Sequence, residues 1–175
     1  GMDFKGQLRT RNGKYCYPFT VTELASRYLL CCDGYLTVNG EGPRKSLERL
    51  FREYGMPDAI RSDNGAPIAS TGIARLTQLG VWLVSLGITR QLIQPGRPAQ
   101  NGKHERMHRT LKEETTRPPA ANLRRQQEAF ERSRREFNEE RPHEGLGMKR
   151  PAEVYQSSPR AYPEKEPPIE YPGHF

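Results

Sequence analysis

The sequence predicts an α/β fold: a mixed five-stranded sheet, three antiparallel strands then two parallel ones, flanked by helices. Three observations predict it. The first 36 residues hold three runs rich in aromatic, β-branched and apolar side chains, divided by turn signals, which is the pattern of a meander. Two short runs further on, DAIRS at 58–62 and ITRQLI at 88–93, are each preceded by a stretch with helical periodicity. A strand–helix–strand crossover within one sheet runs parallel and right-handed, so these two strands join the sheet in parallel.

MDFKGQLR (2–9) alternates loosely and reads as the first strand. NGK at 12–14 is a hairpin signal ahead of YCYPFTV (15–21), and SRYLLCCDGYL (26–36) supplies the third strand. Pro43 opens a helix in which Leu47, Leu50, Phe51 and Tyr54 recur at helical spacing, with Gly55 as its stop. Pro57 leads into the strand 58–62, which runs out at Asp63. Residues 71–87 repeat Ile73, Leu76, Leu79, Leu83 and Leu86 on one face, and Gly87 closes that helix. After the fifth strand, PGRPAQNG (95–102) is a Pro/Gly loop. Helices follow at 103–116 and 121–140, split by the Pro118–Pro119 pair. The second is highly charged, with Phe130 and Phe137 seven apart on one face, and reads as an amphipathic helix covering the sheet. The expected organisation is a core over 2–140, a C-terminal extension of it over 141–156, and a Pro-rich tail or linker over 157–175 leading to a further module.

The chain has 175 residues, with 28 Lys+Arg against 21 Asp+Glu, a net charge of +7 and only 34% hydrophobic residues. A pI near 9.5 and a mean hydropathy of −0.89 fit a modest core and a polyanionic partner. Cys16, Cys31 and Cys32 are odd in number, lie in apolar runs and form no CxxC pair, so they read as reduced and buried. No stretch is apolar and long enough to span a membrane, and the expected setting is cytoplasmic.

Three acids carry the chemistry. Asp3 interrupts an otherwise core-seeking strand, Asp63 ends the fourth, and Glu105 begins the helix after the Pro/Gly loop. Carboxylates near a core are costly unless paired or bound to metal. Asp63 sits inside RSDNG (61–65), which by itself reads as a surface turn, since Asp, Asn and Gly are turn formers. Groups at the carboxyl ends of strands in such sheets collect in a functional crevice. Convergence of the three acids would make a hard, all-oxygen site for Mg²⁺ or Mn²⁺. Two such ions ~3.5–4 Å apart activate an attacking oxygen and stabilise a leaving one in phosphoryl displacement. Arg109 and Lys112 stand four and seven residues after Glu105, on its face, where they would meet a phosphodiester. Lys103, His104, Arg106 and His108 add basic or titratable groups. His104 and His108 have the spacing of a metal pair, but no further nitrogen or sulfur ligand set accompanies them.

MDFKG, RSDNG, PGRPAQNGKHERMHRTLKEE and RPHEGLGMKRPAEVY, in that order, resemble the integrase core of bacterial insertion-sequence transposases, relatives of retroviral integrases in the DDE superfamily. The resemblance covers residues 2–156. It implies an RNase H-like fold with Asp3, Asp63 and Glu105 as the catalytic, metal-holding acids. It implies a divalent-metal reaction, with two Mg²⁺ or Mn²⁺ ions expected, and Lys112 as a contact to transposon-end DNA; Lys103, Arg106 and Arg109 are expected to join it as DNA contacts. Asn64 and Gly65 look like the turn that holds Asp63. Pro95, Gly96, Pro98, Asn101 and Gly102 look like the loop ahead of the catalytic helix. The implied reaction is metal-dependent nicking at the 3′ ends of an element followed by strand transfer into target DNA, within a homodimer or larger assembly. The Asp63–Glu105 interval is somewhat longer than usual for the family, and the Asp often found near the position of Glu23 or Leu24 does not stand there, a departure that affects a turn and not the three acids. The helix-turn-helix that such transposases carry ahead of their core is not in this sequence. Two other readings use the same residues: a hybrid-selective nuclease on the same fold, and a non-catalytic DNA-binding or assembly module.

Overall fold

The structure is a computed structural model that describes residues 1–4, 6–63, 78–92 and 102–168, with the backbone alone at 102–105. Its contacts divide the chain into two compact units, one of residues 1–37 and 97–156, the other of 38–96 and 157–175. The fold is mixed α/β, as the sequence predicts.

In the first unit, β1 (Met2–Phe4), β2 (Leu8–Arg9), β3 (Tyr15–Thr22) and β4 (Leu29–Tyr35) form an antiparallel sheet with β3 in the middle. The expected first strand is thus split in two. Phe4 pairs with Phe19 and Leu8 with Cys16, so three residues stand opposite two, and the extra one bulges where Gly6 takes a left-handed φ of 49°. Pro18 lies between those two pairings, where the ladder is already interrupted.

Two helices cover one face of this sheet: α3 (Gly102–Thr115) and α4 (Leu123–Glu139). In α3, Met107, His108, Leu111 and Thr115 are buried, while Arg106, Arg109 and Lys112 are exposed. Phe130 and Phe137 of α4 are both buried, as their spacing predicts. Phe130 packs with Cys16, Cys32 and Leu111. Gly34 makes this approach possible, because a Cβ there would sit 2.7 Å from Cys16 Sγ and 3.3 Å from Phe130 Cε2. All three cysteines are free and buried, and burial pushes the Cys16 thiol up to about 11.

Polar residues of α4 are structural too. Gln127 accepts from Gly34 N–H at 2.7 Å and donates to Cys32 C=O at 2.9 Å. Asn138 accepts from Leu29 N–H at 2.8 Å and donates to Leu29 C=O at 2.9 Å. Two amides thereby take the backbone groups of β4 that β3 leaves over. Gln126 closes the α3–α4 turn through Thr115 C=O and Ala120 N–H. Beyond α4, a single 3-10 turn at Glu144–Leu146 leads to the one-turn helix α5 (Pro151–Val154), and Tyr155 stacks on Tyr28 with ring centroids 4.5 Å apart.

In the second unit, α1 (Glu41–Tyr54) starts two residues before Pro43, which is tolerated because first-turn N–H groups have no helical partner. The strands β5 (Ala59–Ser62) and β6 (Thr89–Leu92) pair in parallel as expected, with α2 (Gln78–Ser85) between them in sequence. The expected helical residues 71–77 lie outside the described ones. Phe51 of α1 stacks on Trp82 of α2 at 5.8 Å, and Arg44 lies 4.6 Å over the same indole.

Residues 157–168, a linker by composition, make specific contacts. Ser158 N–H donates to Tyr54 C=O, and the Arg160 guanidinium donates to Pro57 C=O at 2.7 Å and Leu86 C=O at 3.0 Å. Glu166 pairs with Arg44 and accepts from the Tyr162 hydroxyl. Gly55, at φ 84°, is needed twice: for that backbone turn, and because a Cβ would overlap Ser158.

Candidate active site

Asp3 sits at the centre of β1 and pairs across the ladder with Thr20, which in turn pairs with Cys32. All three therefore share the face that α3 and α4 cover. The Asp3 side chain is 26% exposed, so it stands at the border of that packed layer and solvent. His108 of α3 reaches the same row. It is fully buried, its Nε2 lies 2.6 Å from Thr20 Oγ1, and its Nδ1 lies 4.0 Å from Asp3 Oδ2. Asp3 is thus set beside α3 by a histidine one turn after Glu105.

Glu105 is the fourth residue of α3, on the turn before His108 and Arg109. Its side chain, with those of Lys103 and His104, lies outside the described ones. Arg106, Arg109 and Lys112 present their side chains to solvent, as a nucleic-acid contact requires. His108 turns into the core instead, so the paired-histidine metal reading has one member committed to Thr20. The buried His108–Thr20 contact was not legible in the sequence. Its signal is a histidine in the Met107–Leu111–Thr115 stripe, which marks it as core-facing.

Asp63 follows Ser62, the last paired residue of β5, and is exposed at the carboxyl end of that strand in the second unit. Asn64, Gly65 and the loop residues Pro95, Gly96, Pro98 and Asn101 lie outside the described residues. Among the described residues, no three His, Cys, Asp or Glu side chains form a cluster that could hold a metal, and Glu105 is not among the side chains counted. Of the three acids, the two whose side chains are described, Asp3 in the first unit and Asp63 in the second, are carboxylates, of the hard-oxygen class that suits Mg²⁺ or Mn²⁺.

A family model described as "Integrase core domain" matches residues 86–151, the stretch holding β6, α3 and α4. The chain is 28% identical over 117 residues to an uncharacterized 31.7 kDa protein of insertion element IS407 from Burkholderia multivorans, covering 66% of this chain and 40% of that protein. It is 40% identical over 76 residues to the Gag-Pol polyprotein of baboon endogenous virus, covering 42% of this chain and 4% of the polyprotein. The chain therefore spans less than half the length of these relatives. Among solved structures, it superposes on the HTLV-2 integrase catalytic core domain in complex with magnesium with a TM-score of 0.65 at 13% identity, covering 87% of this chain and 92% of that one. It superposes on a chain of the simian T-cell lymphotropic virus intasome with a TM-score of 0.71 at 17% identity, covering 99% of this chain and 57% of that one. Residues 86–151 thus resemble an integrase core domain, and the fold is the RNase H-like fold of retroviral integrase catalytic cores.

One titratable group in the first unit sets a pH dependence. Burial, then the charge of Arg27, hold the His143 imidazole below the ordinary histidine value of 6.5, with a hydrogen bond to the Phe137 backbone acting the other way and Arg141 adding to the fall. The unfolded chain therefore takes up this proton at a higher pH than the folded chain. This contribution is fully present above the unfolded value and is lost as pH falls through the folded one. Thermal melts between pH 7.5 and 5.5 are expected to show Tm falling on acidification, and falling less in His143→Gln. An equal slope in the two proteins contradicts the assignment.

Proposed function

We propose that this chain is the catalytic core of a DDE-type transposase, cutting DNA at the 3′ ends of an element and joining those ends to target DNA. The observation that carries the reading is Asp3, held at the solvent border of the sheet by a core built from the helix that bears Glu105, in a chain whose residues 86–151 match an integrase core domain model. Asp3, Asp63 and Glu105 would hold Mg²⁺ or Mn²⁺, in the two-ion arrangement. When bound, the metal supplies Lewis-acid stabilisation of charge at the reacting phosphate and lowers the pKa of the attacking hydroxyl or water. The protein's share is placement. His108 and Thr20 fix the wall of the layer against which Asp3 stands. The exposed Arg106, Arg109 and Lys112, with Lys103, hold the DNA backbone over the acids. The partners are transposon-end and target DNA, with a dimer or larger assembly of this chain.

The test is binding of Mn²⁺. Calorimetric titration into the intact chain is expected to show saturable binding in the millimolar range or tighter, absent from Asp63→Asn. Unchanged binding in Asp63→Asn removes Asp63 from the site. Metal-independent, sequence-independent DNA binding without any cleavage would favour the non-catalytic reading instead.

A further inference from the structure

On the flank of α3 about 140° round from the Glu105–Arg109–Lys112 face, the first unit contains a cavity of about 110 Å³. Leu24, Arg27, Met107, Phe137 and His143 wall it, and Arg106 stands at its α3 side. Of the three buried side-chain polar atoms that face no partner among the described residues, two, Arg27 Nε and His143 Nε2, belong to residues that line this one cavity. Buried polar atoms are almost always paired, so two orphans around one space mark a missing partner.

The surroundings keep it that way. Arg27 has a φ of 62°, a left-handed backbone uncommon for a residue with a side chain. Gly145 leaves the room for its guanidinium, since a Cβ at that position would overlap it. The nearest acid of the wall, Glu23, is committed, its Oε2 accepting from Ser26 N–H at 2.6 Å and Ser26 O–H at 2.7 Å. The T-shaped packing of Phe137 on His143, with centroids 4.7 Å apart, fixes the imidazole. The result is a partly buried guanidinium with no ion pair among the described residues, an imidazole beside it and a second arginine, Arg106, on the α3 side.

We propose that this cavity seats one phosphate group, a phosphodiester of a DNA strand lying along α3. This rests on the DNA-binding reading above. Arg27 donates from Nε, His143 takes up a proton from solvent as the phosphate binds and donates from Nε2 to a second oxygen, and Arg106 closes on the outer oxygens. A planar guanidinium suits phosphate oxygens, and the apolar wall of Leu24 and Met107 suits the carbon face of the adjoining sugar. The chain's net charge of +7 favours a polyanion over a single free ion as its source. Such a contact fixes register on the duplex and reads no sequence.

The experiment follows the His143 ring signals by NMR in the intact chain. Titrated inorganic phosphate, at constant ionic strength against chloride, is expected to shift them saturably and move the imidazole titration midpoint upward. A short duplex is expected to shift the same signals in the same direction. In Arg27→Gln the phosphate response disappears, and the slope of log affinity for duplex against log salt becomes shallower by about 0.9, one phosphate contact. Unmoved His143 signals in phosphate overturn the seat. A response to phosphate without one to duplex, or with an unchanged salt slope in Arg27→Gln, overturns DNA as its source. Should Arg27→Gln fail to fold, the two titrations of the unmodified chain still decide. Neither needs a divalent metal, so loss of Mn²⁺ binding with both responses intact would fell the transposase reading and leave the phosphate seat standing.

Discussion

Replacing Glu105 by Gln is expected to abolish metal-dependent nicking, by about a thousandfold or more, or about 4 kcal/mol of transition-state stabilisation. The substitution keeps the size and shape of the side chain and removes only its charge. Glu105 lies in the first turns of α3, outside the Met107–His108–Leu111–Thr115 stripe that packs on the sheet, so the fold is expected to survive. DNA binding through Arg106, Arg109 and Lys112 should survive as well. The measurement pairs cleavage of a labelled element end in Mn²⁺ with fluorescence anisotropy of the same duplex. Lost cleavage with retained binding is the expected pattern. Full activity in Glu105→Gln would end the assignment of this acid.

Replacing Phe130 by Ala is expected to cost about 3–5 kcal/mol of stability. Phe130 is 1% exposed and fills the space between Cys16, Cys32 and Leu111, where α3, α4 and the sheet meet. The site has little capacity to collapse. Gly34 is already as small as a residue can be, and β3 and β4 are tied to each other by a continuous ladder from Tyr17 to Val21. Urea denaturation followed by circular dichroism checks it, and a loss below about 1 kcal/mol would mean the layer repacks. Because the same layer positions Asp3 through His108, the variant is also expected to lose activity before it loses its fold.

The sequence was most legible where periodicity and punctuation agreed. Leu47, Leu50 and Phe51 are buried on α1 as their spacing predicts, and the parallel pairing of β5 with β6 follows from the crossover rule. The division of the first strand was not legible, because a bulge is set by the register of two strands and MDFKGQLR shows only one of them. The contacts of residues 157–168 were not legible in their composition. Proline-rich text describes backbone preference, whereas Arg160 and Glu166 are held by partners more than seventy positions away. In the site, the carboxylates stood out because acids in core-like runs need a reason. Arg27 and His143 did not, since an SR pair and a PH pair look like ordinary loop residues until the fold brings them to one cavity.

The amides of Gln127 and Asn138 have a consequence for assembly. A strand at the rim of a sheet offers its spare N–H and C=O groups as a template on which another chain can build. On β4 those at Leu29, Cys32 and Gly34 are already spoken for by helix α4, which follows the strand along its length. Two copies of this protein cannot merge their sheets through that rim without first peeling the helix away. A dimer formed along this rim has to be a meeting of side chains, whose affinity point substitutions on the surface can tune gradually, and the protein is guarded there against runaway strand-to-strand polymerisation.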